Sequence, residues 1–196
     1  MKFFETSKYF SLKKSTYINL RWIAIIGQFI TINLVYFIFE FKFDFLSANT
    51  VIFVGILSNL YLVYINKKTQ LADGSAFIFL IIDIIQLSFL IYLTGGTANP
   101  FVIFLIIPSV FSSSNLSFRI NILLVAITTI VIIFLSFFHH DLPFPLNEHY
   151  HVNLYYSYSI PTALIIALIF MNYFAINFGS ESRLRKEALN KMEEIM

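Results

Sequence analysis

A chain of 196 residues that is 58% hydrophobic and only 12% charged does not have the composition of a water-soluble domain, in which charge approaches a quarter of all residues. Its lack of cysteine excludes disulfides, thiol redox switching and thiolate metal ligation within these residues, and the net charge of +2 is too small to suggest a nucleic-acid surface. Long apolar runs recur along the whole chain and leave no room for a soluble domain of ordinary size.

Residues 1–20 are polar, basic and aromatic and suit the membrane surface. The first apolar run follows them with no small-residue cleavage pattern, so it is expected to be a retained helix and not a signal peptide. The fold class expected is all-α: a polytopic membrane protein with a six-transmembrane-helix bundle and short loops. The spans are placed at about 22–39, 46–65, 76–93, 100–116, 120–138 and 160–178, making residues 1–180 one membrane domain. Each long run approaches the ~20 residues needed to cross ~30 Å of hydrocarbon. Run four is the weakest, being strongly apolar only from Pro100 to Phe111 before a serine tail. Pro108 is expected to kink it, and a re-entrant half-helix is the alternative. With the N-terminus inside, every Lys and Arg except Lys42 falls on the inner side, which favours a sixth crossing and places both termini in the cytoplasm.

Between runs three and four lies Thr94-Gly95-Gly96-Thr97-Ala98-Asn99-Pro100-Phe101, a polar bend in a greasy chain. Gly95 and Gly96 permit a sharp turn or close approach of a partner, and Asn99-Pro100 reads as a helix N-cap followed by its first residue. Backbone N–H groups of Gly95 to Thr97, the Asn99 amide and the following helix N-terminus suit an oxygen acceptor, with Phe101 packing on a ring or tail. The same residues also make an ordinary capped turn. Asp83 is the one acid well inside a span, near mid-membrane, with Gln86 one turn away on the same side. It reads either as a group coupling a local charge change to helix positions or as hydrogen-bonding glue between helices.

The four histidines, His139, His140, His149 and His151, fall in one outer loop with Asp141 and Glu148. They are candidate Zn²⁺ or Cu²⁺ donors, but the spacing matches no recognised site, so no metal is assigned and surface histidines are the plainer reading. Residues 181–196 continue the last run as a charged helix. Arg183/Glu187 and Glu187/Lys191 are one turn apart, and Leu184, Ala188, Met192 and Ile195 form a stripe. This segment reads as the start of a cytoplasmic signalling helix or as a ragged helix end. No nucleophile–base arrangement, nucleotide loop or H-E-x-x-H motif is present, so no catalysis is assigned to these residues.

The run Gly95-Gly96-Thr97-Ala98-Asn99-Pro100-Phe101, placed between runs three and four, resembles the G-G-x-x-N-P-F signature of redox-responsive two-component sensor histidine kinases of the RegB/PrrB/ActS type. Leu20-Arg21-Trp22-Ile23-Ala24 with Gly27-Gln28, Asp83-Ile84-Ile85-Gln86-Leu87 and His140-Asp141-Leu142-Pro143-Phe144-Pro145 are similar to other segments of that family, though Phe144 interrupts the family's contiguous P-L-P form. The resemblance implies a ubiquinone-sensing input domain in the bacterial inner membrane, with quinone at Thr94, Gly95, Gly96, Thr97, Asn99, Pro100 and Phe101. It further implies a homodimer whose last span relays to a cytoplasmic kinase region and its response regulator. A small solute or ion transporter using Asp83, and a purely structural membrane anchor, are the competing readings.

Overall fold

The computed structural model describes residues 12–65, 70–143 and 154–193. Helix α1 spans Lys14–Phe37, α2 Phe45–Ile65, α3 Asp73–Leu93, α4 Ile106–Asn115, α5 Phe118–Phe137 and α6 Leu154–Glu193. Two-residue strands, β1 (Leu12–Lys13) and β2 (Gln70–Leu71), pair antiparallel and tie the start of α1 to the start of α3. The fold is thus an all-α bundle.

Among the described residues five helices are long and apolar enough to cross a membrane, which corrects the six-span expectation. The missing one is run four. It forms a 3₁₀ segment, Pro100–Leu105, followed by α4, a helix of 10 residues. Proline accounts for part of this, because Pro100 and Pro108 cannot donate to the backbone ladder, and Pro108 sits in the first turn of α4 immediately after 3₁₀ geometry gives way. Polarity accounts for the rest. Ser109, Ser112 and Ser113 are buried and so need protein partners in place of lipid. The hydroxyls of Ser109 and Thr128 bond at 2.7 Å, and Ser112 donates to Asn121 Oδ1 at 2.6 Å, both reaching α5. Helix α4 packs most extensively on α6.

Helices α3 and α5 run parallel. Leu80 and Leu124 share a core with Tyr17, Leu71 and Leu116 at one end of the bundle, and the backbone N–H of His140 donates to the Tyr92 carbonyl at 2.9 Å at the other. The chain between them therefore returns through the bundle interior, with Val102, Leu105 and Ile106 buried along the way. 3₁₀ geometry helps, rising about 2.0 Å per residue against about 1.5 Å for an α-helix. The bundle consequently has two unlike ends. Lys13, Lys14 and Arg119 lie where α1, α3 and α5 begin; the bend after α3, the start of α2 and the end of α5 lie at the opposite end. Helix α6 starts near the bend, touching the 3₁₀ turn Gly96–Ala98, and runs away from it without a break for 40 residues.

Helix α1 begins earlier than expected, at Lys14, because its first turns face inward. Lys14 Nζ donates to the Val63 carbonyl at 3.1 Å, while Tyr17 and Arg21 are buried. Many large apolar side chains on the outer faces, such as Ile23, Phe29, Tyr64 and Phe170, are exposed, as lipid-facing surfaces require.

Candidate functional site

The bend is a closed hydrogen-bonded unit. Helix α3 ends at Leu93, and the hydroxyl of its C-cap, Thr94, donates back to Leu90 O at 2.7 Å. Gly95 (φ 108°) and Gly96 (φ 56°) adopt left-handed backbone conformations that side-chain-bearing residues avoid. The 3₁₀ turn Gly96–Ala98 follows, with Ala98 N donating to Gly95 O and Asn99 N to Gly96 O, each at 3.1 Å. Asn99 is buried and caps the next segment. Its Oδ1 accepts from Phe101 N at 2.9 Å, while Nδ2 donates to Thr94 O at 3.0 Å and Thr94 Oγ1 at 2.6 Å. Its amide is therefore committed within the bend. The bonds within the bend use the N–H groups of Ala98, Asn99, Phe101 and Val102; among the described residues those of Gly95, Gly96 and Thr97 find no acceptor within the bend. Gly95, Gly96 and Thr97 are buried, whereas Pro100 and Phe101 face outward.

Residues 138–143 form a strap across the bend. A Cβ on Gly95 would stand 2.3 Å from Leu142 Cδ1, and one on Gly96 would stand 2.4 Å from His139 Cγ. The close approach that these glycines allow is thus made by the chain itself. The His140 ring meets Tyr92 edge-on, with centroids 5.0 Å apart. No group of three or more His, Cys, Asp or Glu side chains gathers among the described residues, and His149 and His151 lie outside them.

Asp83 faces α1. Arg21 Nε donates to its Oδ1 at 2.9 Å, Arg21 Nη2 lies 2.8 Å from the same oxygen, and Tyr17 donates to Oδ2 at 2.6 Å. Arg21 Nη2 also donates to Ser58 Oγ at 2.9 Å, so the cluster joins α1, α2 and α3. The guanidinium carbon lies 5.7 Å from the Tyr17 ring centroid and 5.5 Å from that of Phe79. About one turn towards the bend, Gln86 Nε2 donates to Gln28 Oε1 at 2.8 Å, and Gly55 of α2 leaves room for the Gln86 side chain. Asp83 and Gln86 therefore sit on the same α3 face as Leu90 and Leu93, which pack with Ile25, Ile32 and Ile52. Asp83 and the bend are joined by one helix face but lie about 16 Å apart.

Charge placement alone assigned Arg21 to topology and missed its role as the partner of Asp83. A signal was available: α1 and α3 start at the same end, and the two charges sit roughly 10 and 15 Å along their helices. The strap was not legible, because its contacts join residues more than forty positions apart. Also missed was a lipid-facing groove of about 360 Å³ between α1 and α2, lined by Phe29, Leu46, Asn49, Thr50, Phe53 and Ile56 among others.

Apolar helices around buried polar rungs, with a bend at one end and a continuous helix leaving at the other, define a polytopic α-helical membrane domain. The chain belongs to the PilS-like transmembrane domain family, whose model matches residues 15–189. It is also similar to the sensor histidine kinase RegB of Cereibacter sphaeroides, with 26% identity over 175 residues. That alignment covers 89% of this chain and 38% of the relative, so the chain spans well under half the length of the protein it matches. It is thus a distant relative of a sensor histidine kinase. No solved structure matches it significantly.

Proposed function

We propose that this chain is the membrane input domain of a two-component sensor histidine kinase and that its ligand is a quinone of the ubiquinone type held at Thr94–Phe101. The observation that carries this reading is the bend itself: buried N–H groups of Gly95, Gly96 and Thr97 lie beside a strap and outward-facing Phe101, offering donors to a carbonyl oxygen next to an apolar wall. The relationship to a sensor histidine kinase, to which 89% of this chain aligns, supports the same reading. The domain works as a homodimer in the bacterial inner membrane. Its basic end, with Lys13, Lys14 and Arg119, faces the cytosol together with both chain ends. Helix α6 carries the change from the bend end of the bundle to a cytoplasmic kinase region and thence to a response regulator. Asp83 and Gln86 couple the α3 side of the bend to α1.

A ligand shifts such an equilibrium only if it binds the two states with different affinity. The chain contains no cysteine and Met192 is exposed, so Met192→Cys supplies a single crosslinking site on the relay helix. Crosslinking yield in membranes should change when the quinone pool passes from oxidised to reduced, and Asn99→Ala should abolish the change. An unchanged yield, with quinone binding demonstrated, refutes the coupling.

A further inference from the structure

The groove between α1 and α2 follows α2 from Leu46 to Ile56, with Phe29 of α1 on the opposite wall. Its two polar side chains are spent on their own helix. Asn49 Nδ2 donates to Phe45 O at 3.1 Å and Thr50 Oγ1 to Leu46 O at 2.8 Å, so the groove offers an occupant an apolar wall. From Leu46 to Ile56 is about 15 Å along the helix axis, and 360 Å³ over that length is a mean section of about 24 Å². A helix with its side chains, about 10–12 Å across, needs roughly four times that section. A second copy's helix therefore does not enter, whereas one extended hydrocarbon chain does, lying along α2 as membrane chains lie along a span.

The connection from α1 to α2, residues 38–44, joins the two helices that form the groove and so lies over its outer end. Tyr36 stacks on Phe45 with centroids 4.2 Å apart and meets Phe43 edge-on, which fixes this connection on the helix ends. It carries Lys42, which is exposed and has no partner among the described residues. Of its acidic neighbours, Asp44 is committed to Ser47 and Glu40 is exposed. We infer that the groove is a phospholipid site: one acyl chain lies between Leu46 and Ile56, and a zwitterionic headgroup sets its phosphate on Lys42. The walls give the chain fixed contacts on several sides, where an open helix face gives them on one. The inference is independent of where a quinone binds.

The test is fluorescence quenching by brominated phosphatidylcholine titrated into the detergent-solubilised whole chain. Trp22 is the single tryptophan, so Trp22→Phe combined with Phe53→Trp, or with Phe29→Trp, sets one fluorophore on either wall of the groove. Trp22→Phe with Ile130→Trp, on an exposed position of α5, is the control. Both groove fluorophores should be half-quenched at a lipid-to-detergent ratio about fivefold or more below the control, and Lys42→Gln should raise that ratio about fivefold, the scale of one lysine–lipid charge contact. Quenching at both walls that follows the control, or that Lys42→Gln leaves unmoved, overturns the inference. Recovery of the fluorescence on adding solanesol, an isoprenoid alcohol without a quinone ring or a phosphate, in amounts equal to the lipid, gives the groove to an isoprenoid chain and overturns it too.

Discussion

Arg21 and Asp83 form an ion pair, reinforced by Tyr17 and Ser58, inside a region that has little water with which to solvate a lone charge. Removing one partner leaves the other charge stranded, while replacing both removes the desolvation cost together with the attraction. Asp83→Leu or Arg21→Met should each destabilise the solubilised protein by roughly 3 kcal/mol or more, and the double replacement Arg21→Met with Asp83→Leu by distinctly less than the sum. Thermal or denaturant unfolding of the four proteins gives this cycle; additive losses would show that the pair is not energetically coupled. The arrangement makes Asp83 part of a clamp between helices, a poor design for an acid that must release and rebind a solute. Asp83 itself stood out in the sequence because an acid within an apolar run is conspicuous. Arg21 did not, since a basic residue near the start of a span satisfies the inside-positive bias without any partner.

At the scale of elements, the five long helices follow from run length and hydropathy, which count residues correctly. Run four departed from expectation because hydropathy is blind to backbone geometry. Its prolines and inward serines make a 3₁₀ segment and a short helix out of residues that would otherwise extend one α-helix. Asn99 and Pro100 were legible as cap and first residue because capping is local chemistry, two residues deep. The start of α2 shows the same kind of local control. Asp44 accepts from Ser47 Oγ at 2.5 Å and from Ser47 N at 3.1 Å, and these bonds, chiefly the hydroxyl's, hold its carboxyl below the usual carboxylate range. A depressed folded-state pKa stabilises fully above the ordinary value of about 4 and is lost as pH falls through the depressed one. The protection factor of the Ser47 amide, measured against the intrinsic exchange rate at each pH, should therefore fall in acid, and Asp44→Asn, which caps without titrating, should remove that fall. Protection at Ser47 that falls equally in both proteins would rule out Asp44 as the cause.

The molecule as a whole is polar in the mechanical sense. A bend bound by its own strap closes one end, a cluster of positive charge marks the other, and α6 runs from the first past the second as one helix of 40 residues. That layout suits a receiver: an event at the bend meets the start of the helix that leaves the bundle, and polar rungs on α3 and α1 keep the intervening helices in register. In the proposed mode of action the quinone headgroup sits at the bend and not in the groove between α1 and α2. Photolabelling of the membrane-embedded chain with an azido-ubiquinone, followed by peptide mapping, tests it directly. Label should fall on Thr94–Phe101 and on residues 139–142 and be removed by excess ubiquinone; competed label confined to Phe29 and to the groove residues between Leu46 and Ile56 would place the headgroup in the groove.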